Sequence, residues 1–342
     1  MMSVPRSITG PSGVEVSALA FGSWNTWDRA DFDTVLATLR LAVDSGVTTF
    51  DVGIYGGGET PNDTDTEMVF ARAIAELGVP RDSIQLAVKG WLPDPRNAFV
   101  PSLESQLDTM LVRQHTDHAE VLVLGDLMQP RDDYGSLLDD VASVLLAGKA
   151  RAWAVNNWAA TEVAELIRQA EAAGVQAPDY AQLKYGLTRR SVPEGAPYGT
   201  LCARTGLRIQ ASDTFEGGLI FGGSGTGPSR IIGGDIGGTQ ERIRASVGRL
   251  REVAAQFGAT PAQLAIAYPL TNPNVTNVLV GSRTPEQTRD NLGAFDLLAR
   301  HSAAEIRAAA DEFWFDRHAV SPHAGWGARP EDDPAAYVVV QR

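Results

Sequence analysis

Eight short apolar runs, spaced along the chain with amphipathic or loop-rich stretches between them, constrain what this sequence can fold into. The runs cover residues 16–22, 47–51, 84–89, 121–124, 152–155, 179–183, 208–211 and 276–280. Each is too short for a core helix and is rich in residues that favour buried strands. The stretches between them carry the other period. From Asp31 to Asp44, Phe32, Val35, Leu36, Leu39 and Val43 fall on one helical face, and Gly46 stops the pattern. Further helices are predicted over 64–77, 102–112, 137–146, 161–173, 240–257, 261–268 (with Thr260 as its cap) and 286–298. Eight strands joined by right-handed crossovers predict a closed (β/α)8 TIM barrel. A doubly wound open sheet would place a Gly-rich phosphate turn after its first strand, and Phe21-Gly22-Ser23-Trp24 is not one. Gly10-Pro11-Ser12-Gly13 predicts an N-terminal β-hairpin within residues 7–15. From Ser302 a helix is expected to about Arg317, then a Pro/Gly/Asp-rich tail to Arg342 packed over the barrel mouth or a partner. The Gly/Ser-rich stretch 222–238 reads as a rim loop. The whole, 1–342, is one domain.

Composition narrows the function. A net charge of −13 leaves no basic footprint for nucleic acid or an anionic membrane. A single cysteine, Cys202, excludes a disulfide framework and fits a reducing, cytoplasmic setting. Five histidines lie scattered, none at ligand spacing, so no metal site is expected. Met1-Met2-Ser3-Val4-Pro5-Arg6 has no apolar leader core, and no apolar run is long enough to span a bilayer.

The chemistry-bearing residues lie where the predicted strands end. Thr48-Thr49-Phe50-Asp51-Val52-Gly53-Ile54-Tyr55-Gly56 sets a carboxylate and a phenol at one strand end, and Lys89 closes the next. In a parallel barrel that rim holds the active site. A buried lysine beside a phenol lowers the phenol's pKa and makes it a usable acid. Taken singly, each residue has a plainer role. Asp51 would cap a helix, Tyr55 would be an edge aromatic and Arg283 a solvated charge. Trp24, Trp27, Trp91 and Trp158 follow strands and would either line a pocket or fill the core.

Four stretches in order resemble the aldo-keto reductase superfamily over nearly the whole chain. They are Gly46 to Gly56; Val88-Lys89; Ala154-Val155-Asn156-Asn157-Trp158 with Gln182; and Gly281-Ser282-Arg283-Thr284-Pro285-Glu286-Gln287 to Asn291-Leu292-Gly293-Ala294. The resemblance implies an NADP(H)-dependent oxidoreductase. Tyr55 would be the general acid, Lys89 would lower its pKa, and Asp51 would orient Lys89. Asn157 and Gln182 would hold the nicotinamide carboxamide, and Asn156, where the family more commonly has a serine, would keep a hydrogen-bonding group beside them on the cofactor. Ser212 and Gly218 would lie along the cofactor, Ser282 and Arg283 would bind the 2′-phosphate, and Gln287 and Asn291 would reach the adenine. Trp24, Trp91 and the position of Gly125 would face a bulky small-molecule substrate bearing a carbonyl, or a C=C or C=N bond.

Two positions depart from that pattern. Gly125 stands where the family places a histidine that polarises the carbonyl, a loss of about 10²–10³-fold in rate. Ser212 stands where an aromatic ring stacks on the nicotinamide. Three explanations compete for Gly125: it opens room for a larger substrate; Asp126, His318 or His323 fills the gap; or the chain no longer reduces carbonyls. The last allows a nucleotide-binding regulatory or assembly protein, or a redox-neutral enzyme using Tyr55 and Lys89 for proton transfer.

Overall fold

The computed structural model describes residues 3–55, 65–93, 100–127, 131–223, 235 and 237–323. A two-stranded hairpin comes first, β1 (Arg6–Ile8) antiparallel to β2 (Glu15–Ser17). Eight parallel strands then close into a barrel: β3 (Leu19–Gly22), β4 (Thr49–Val52), β5 (Gln85–Gly90), β6 (Ala119–Leu124), β7 (Ala150–Asn156), β8 (Tyr180–Lys184), β9 (Arg208–Ser212) and β10 (Val275–Val280), with β10 returning to β3. The predicted run 16–22 therefore divides at Ala18. Its first part pairs in the hairpin and its second enters the barrel.

The helices are α1 (Phe32–Asp44), α2 (Thr66–Glu76), α3 (Leu103–Arg113), α4 (Gly135–Leu146), α5 (Ala160–Ala173), α6 (Ser191–Glu194), α7 (Ala196–Thr205), α8 (Gln240–Gln256), α9 (Pro261–Leu270), α10 (Pro285–Arg300) and α11 (Ala303–Ala310). Their starts follow local chemistry. Asp31 accepts from the Thr34 amide, and Thr260 with Gln263 forms a reciprocal capping box. The pair α6 and α7 escapes sequence reading because Pro193, Gly195, Pro197 and Gly199 obscure the periodicity. The last helix is shorter than expected. Asp316 accepts from the backbone amides of Arg190 (3.0 Å) and Ser191 (3.2 Å), and this turns the chain back onto α6. The expected tail over the mouth, from residue 324, and most of the rim loop 222–238 fall outside the described residues. No described helix is long and apolar enough to cross a membrane.

Apolar helix faces pack on the outside of the barrel in one continuous core. Inside it, Ala87, Val121, Val123, Ala152, Ala154 and Tyr180 form a second cluster, and Val14 of the hairpin packs against it. The hairpin thus stoppers the N-terminal end. Asp179 fastens it there, accepting from the Ser12 amide at 3.0 Å and from the hydroxyls of Thr9 and Ser12. The approach is so close that a Cβ on Gly10 would lie 2.2 Å from the Asp179 carbonyl oxygen. Gly10→Ala is therefore expected to lower stability by about 1–3 kcal/mol through overpacking against backbone. Denaturant unfolding measures it, and an unchanged midpoint would mean that the hairpin does not bear on barrel stability.

Candidate active site at the C-terminal rim

Parallel register brings Asn156, Gln182 and Gln210 to one level of the barrel on β7, β8 and β9. Paired residues of parallel strands point to the same face, so a polar row runs around the inside. It meets the ion pair formed by β4 and β5. Lys89 Nζ lies 3.1 Å from Asp51 Oδ2, both side chains being almost wholly buried. Gln182 ties the pair together: its Nε2 donates to Asp51 at 2.7 Å, its Oε1 accepts from Lys89, and Nε2 also donates to Gln210. A buried lysine needs a counter-charge and hydrogen-bond acceptors, and here Asp51 and Gln182 supply them. The structure thus joins Asp51, Lys89 and Gln182. Gln210 was missed in the sequence, although a glutamine inside an apolar strand is the signal that would have found it.

Tyr55 stands beside this network, not in it. Among the described residues no hydrogen bond joins Tyr55 to Lys89. The phenol bonds instead with the Ser23 side chain. Its ring folds over Gly53 so closely that a Cβ there would come within 2.8 Å of Cζ. Burial, and secondarily the Asp51 carboxylate, push the phenol above its ordinary range. The expected lowering by Lys89 is thus not seen in this geometry, because the lysine's charge is held by Asp51.

The gap at Gly125 has an occupant. A Cβ there would lie 2.8 Å from Trp91 Cε3, so the indole takes the space that a side chain would use. Trp91 is pinned: Nε1 donates to the Ile54 carbonyl (2.9 Å), and its amide donates to Gln106 (2.7 Å). Its ring meets Tyr55 edge-on at 5.8 Å, and the Trp24 ring lies 6.3 Å from Tyr55. Trp24, Tyr55 and Trp91 are all half-buried and form one aromatic wall. Trp27 and Trp158 are core residues: Trp27 stacks on Phe70 at 4.8 Å, and Trp158 packs on Tyr134 while its Nε1 donates to the Gly125 carbonyl at 2.9 Å.

Asp126 does come to the site. Its Oδ1 accepts from Asn156 Nδ2 (2.5 Å) and Asn157 Nδ2 (3.1 Å). Burial pushes its carboxyl up, and the two amides and the Lys89 charge pull against that shift. His318 and His323 are exposed on the chain's last described turn. Beyond Asp126, Lys184 sits 3.5 Å from both Asp213 and Glu216, and Arg189 reaches Glu216 at 3.1 Å. Burial works to raise both acids. It prevails at Asp213, whereas Lys184 and Arg189 together hold Glu216 below its usual range. The backbone carries strain here: Asn157, Asp213 and Glu216 have φ of 58°, 55° and 51°. Gly218, at φ 95°, follows in the same turn. Ser212 donates its hydroxyl to the Leu183 carbonyl at 3.0 Å.

The expected phosphate segment opens α10. Thr284 caps the helix, the Arg283 amide donates to Gln287 Oε1 (2.9 Å), and the guanidinium donates to the Asn25 carbonyl (2.9 Å). Asn291 and Ser282 bond to each other at 2.9 Å and are buried, whereas Gln287 is exposed. The expected adenine pair therefore does not share one accessible face. Asn25 Nδ2 is buried without a hydrogen-bond partner beside this segment. A helix N-terminus, a guanidinium and an orphaned amide donor make a donor set that fits an anionic phosphate. At the other end, the carboxamides of Asn157 and Gln182 have the right chemistry for a nicotinamide amide, with Asp126 and Asp51 as their present partners. Among the described residues no group of His, Cys, Asp and Glu is arranged to hold a metal.

A sequence model of the aldo/keto reductase family matches residues 18–311. Two relatives are similar along most of their length. One, from Schizosaccharomyces pombe, is named a putative voltage-gated potassium channel subunit beta; it is 26% identical over 332 residues, covering 90% of this chain and 93% of its own. The other, from Arabidopsis thaliana, is named a probable voltage-gated potassium channel subunit beta; it is 26% identical over 308 residues, covering 84% of this chain and 90% of its own.

Because Trp91 fills the space over Gly125, Gly125→His is expected not to restore a carbonyl donor. It should cost about 1–3 kcal/mol and shift tryptophan fluorescence as the indole is displaced. Pairing it with Trp91→Ala should recover stability. A stable single variant with unchanged fluorescence would show that the indole yields freely.

Proposed function

Since the chain belongs to the aldo/keto reductase family, we propose that it is an NADP(H)-dependent oxidoreductase acting on a small molecule at the C-terminal rim. The observation that carries this is the Asp51–Lys89–Gln182 network with Tyr55 beside it, at strand ends where a parallel barrel builds its site. Ser282 and Arg283 would hold the 2′-phosphate at the head of α10. Asn157 and Gln182 would hold the carboxamide, each exchanging a protein partner for it. A bound reduced nicotinamide would supply hydride. Tyr55, kept protonated by burial and by Asp51, would hold the proton that a reduced carbonyl oxygen takes. Lys89 would act mainly through Asp51, fixing the field around the phenol. Trp24 and Trp91 would present apolar faces to the substrate.

A second reading has its own support. Tyr55 bonds with Ser23 and not Lys89, Trp91 closes the donor position at Gly125, and both relatives are named as channel beta subunits. A chain that binds nucleotide and serves as a regulatory or assembly subunit would have these features.

Calorimetric titration with NADPH and NADH tests the shared premise. NADPH should bind more tightly, and Arg283→Ala should weaken NADPH by about 10–100-fold while leaving NADH nearly unchanged. Equal affinities would remove the phosphate role of Arg283. Turnover then separates the two readings: Tyr55→Phe should abolish reduction and keep nucleotide binding. The raised phenol pKa also sets the pH profile. A donor whose pKa lies above the usual value stays protonated through neutral and mildly alkaline pH, so kcat should show no falling limb from this group below about pH 10. A falling limb near neutrality would mean that Lys89 swings onto Tyr55 in the loaded enzyme.

A further inference from the structure

The charges at the rim are unevenly balanced. Asp51 is paired with Lys89 at 3.1 Å, Asp213 with Lys184 at 3.5 Å, and Glu216 with Arg189 at 3.1 Å. Asp126 differs. Among the described residues no cation comes within ion-pair distance of it. Oδ1 takes both asparagine amides, and Oδ2 takes none. Oδ2 is thus without a hydrogen-bond partner among the described residues, on a side chain that is half-buried and not fully enclosed.

The aromatic wall leads to this carboxylate. The Trp91 indole rests against Gly125, the residue before Asp126, and Tyr55 and Trp24 continue the wall with ring-centre spacings of 5.8 and 6.3 Å. Aromatic faces attract cations through their quadrupoles, most strongly when water is partly excluded. A half-buried carboxylate with a free oxygen adds a counter-charge at the end of the wall. We propose that the mouth formed by Trp24, Tyr55, Trp91 and Asp126 binds an organic cation: a protonated amine, an iminium or a quaternary ammonium group on a small apolar skeleton. This rests on the reading that the rim is the substrate site, and it narrows that reading to a substrate class. It also gives sense to Gly125. A neutral carbonyl needs a donor to polarise it, whereas a protonated C=N bond carries its own positive charge.

The test is binding of choline and of its neutral isostere 3,3-dimethylbutan-1-ol to the nucleotide-free protein. Calorimetry and tryptophan fluorescence read it, with sodium chloride matching ionic strength. Choline should bind about tenfold or more tightly. Asp126→Asn, near-isosteric, should bring the two ligands to similar affinity. Trp24→Leu, at a half-exposed site, should weaken choline while leaving Asp126 in place. Equal binding of the two probes to the parent protein, or an undiminished choline preference in folded Asp126→Asn, would overturn the proposal. Because no nucleotide is present, a failed NADPH titration with choline preference intact would refute the oxidoreductase reading and leave the cation site standing.

Discussion

The buried ion pair between Asp51 and Lys89 is the constraint on which the rim depends. A lysine ammonium enclosed by apolar strands is tolerable only with a counter-charge and satisfied hydrogen bonds. Asp51 supplies the first, and the Gln182 carbonyl oxygen adds a second acceptor. Because these residues lie on β4, β5 and β8, the three-residue network crosses the barrel interior and ties those strand ends to one another. Gln210 extends the tie to β9. What reaches the mouth is then decided by which side chains remain outside the network.

Tyr55 is one of those. With Lys89 held by Asp51, the phenol takes Ser23 as its partner and packs against two indoles. The same logic explains Gly125. A missing side chain in a packed rim does not leave a void; the nearest ring that can be anchored moves in, and Trp91 is anchored by the Ile54 carbonyl and by Gln106. Two residues that look independent in the sequence, the glycine at 125 and the tryptophan at 91, form a single packing solution. Asp126, the next residue, is the polar side chain at that strand end, held by Asn156 and Asn157.

The opposite end of the barrel shows the division of labour common to this architecture. There, polar groups serve closure. Asp179 clamps the hairpin through Thr9 and Ser12, and Val14 seals the interior. Strain is stored at the other end, where Asn157, Asp213 and Glu216 adopt left-handed backbone and are held by ion pairs and amide bonds. Such positions persist only where surrounding contacts over-determine them, and they cluster where chains bind and react.

Much of the architecture was legible in the chain itself. Eight apolar runs alternating with helical periodicity determine a parallel closed barrel, since period and order fix which faces must be buried. The caps at Asp31 and Thr260, the hairpin turn at Gly10 to Gly13, and the positions of Asp51 and Lys89 at strand ends follow from local chemistry. Helices α6 and α7 did not, because prolines and glycines interrupt their pattern. The early end of α11 did not either, because Asp316 draws the chain to a distant backbone. Partnership was equally hidden. That Gln182 joins the Asp51–Lys89 pair from β8, that Asp126 takes the amides of Asn156 and Asn157, and that Trp91 covers Gly125 are contacts between residues far apart in sequence. Side-chain direction there is set by competition for partners within a closed interior, and only the assembled barrel brings the competitors together.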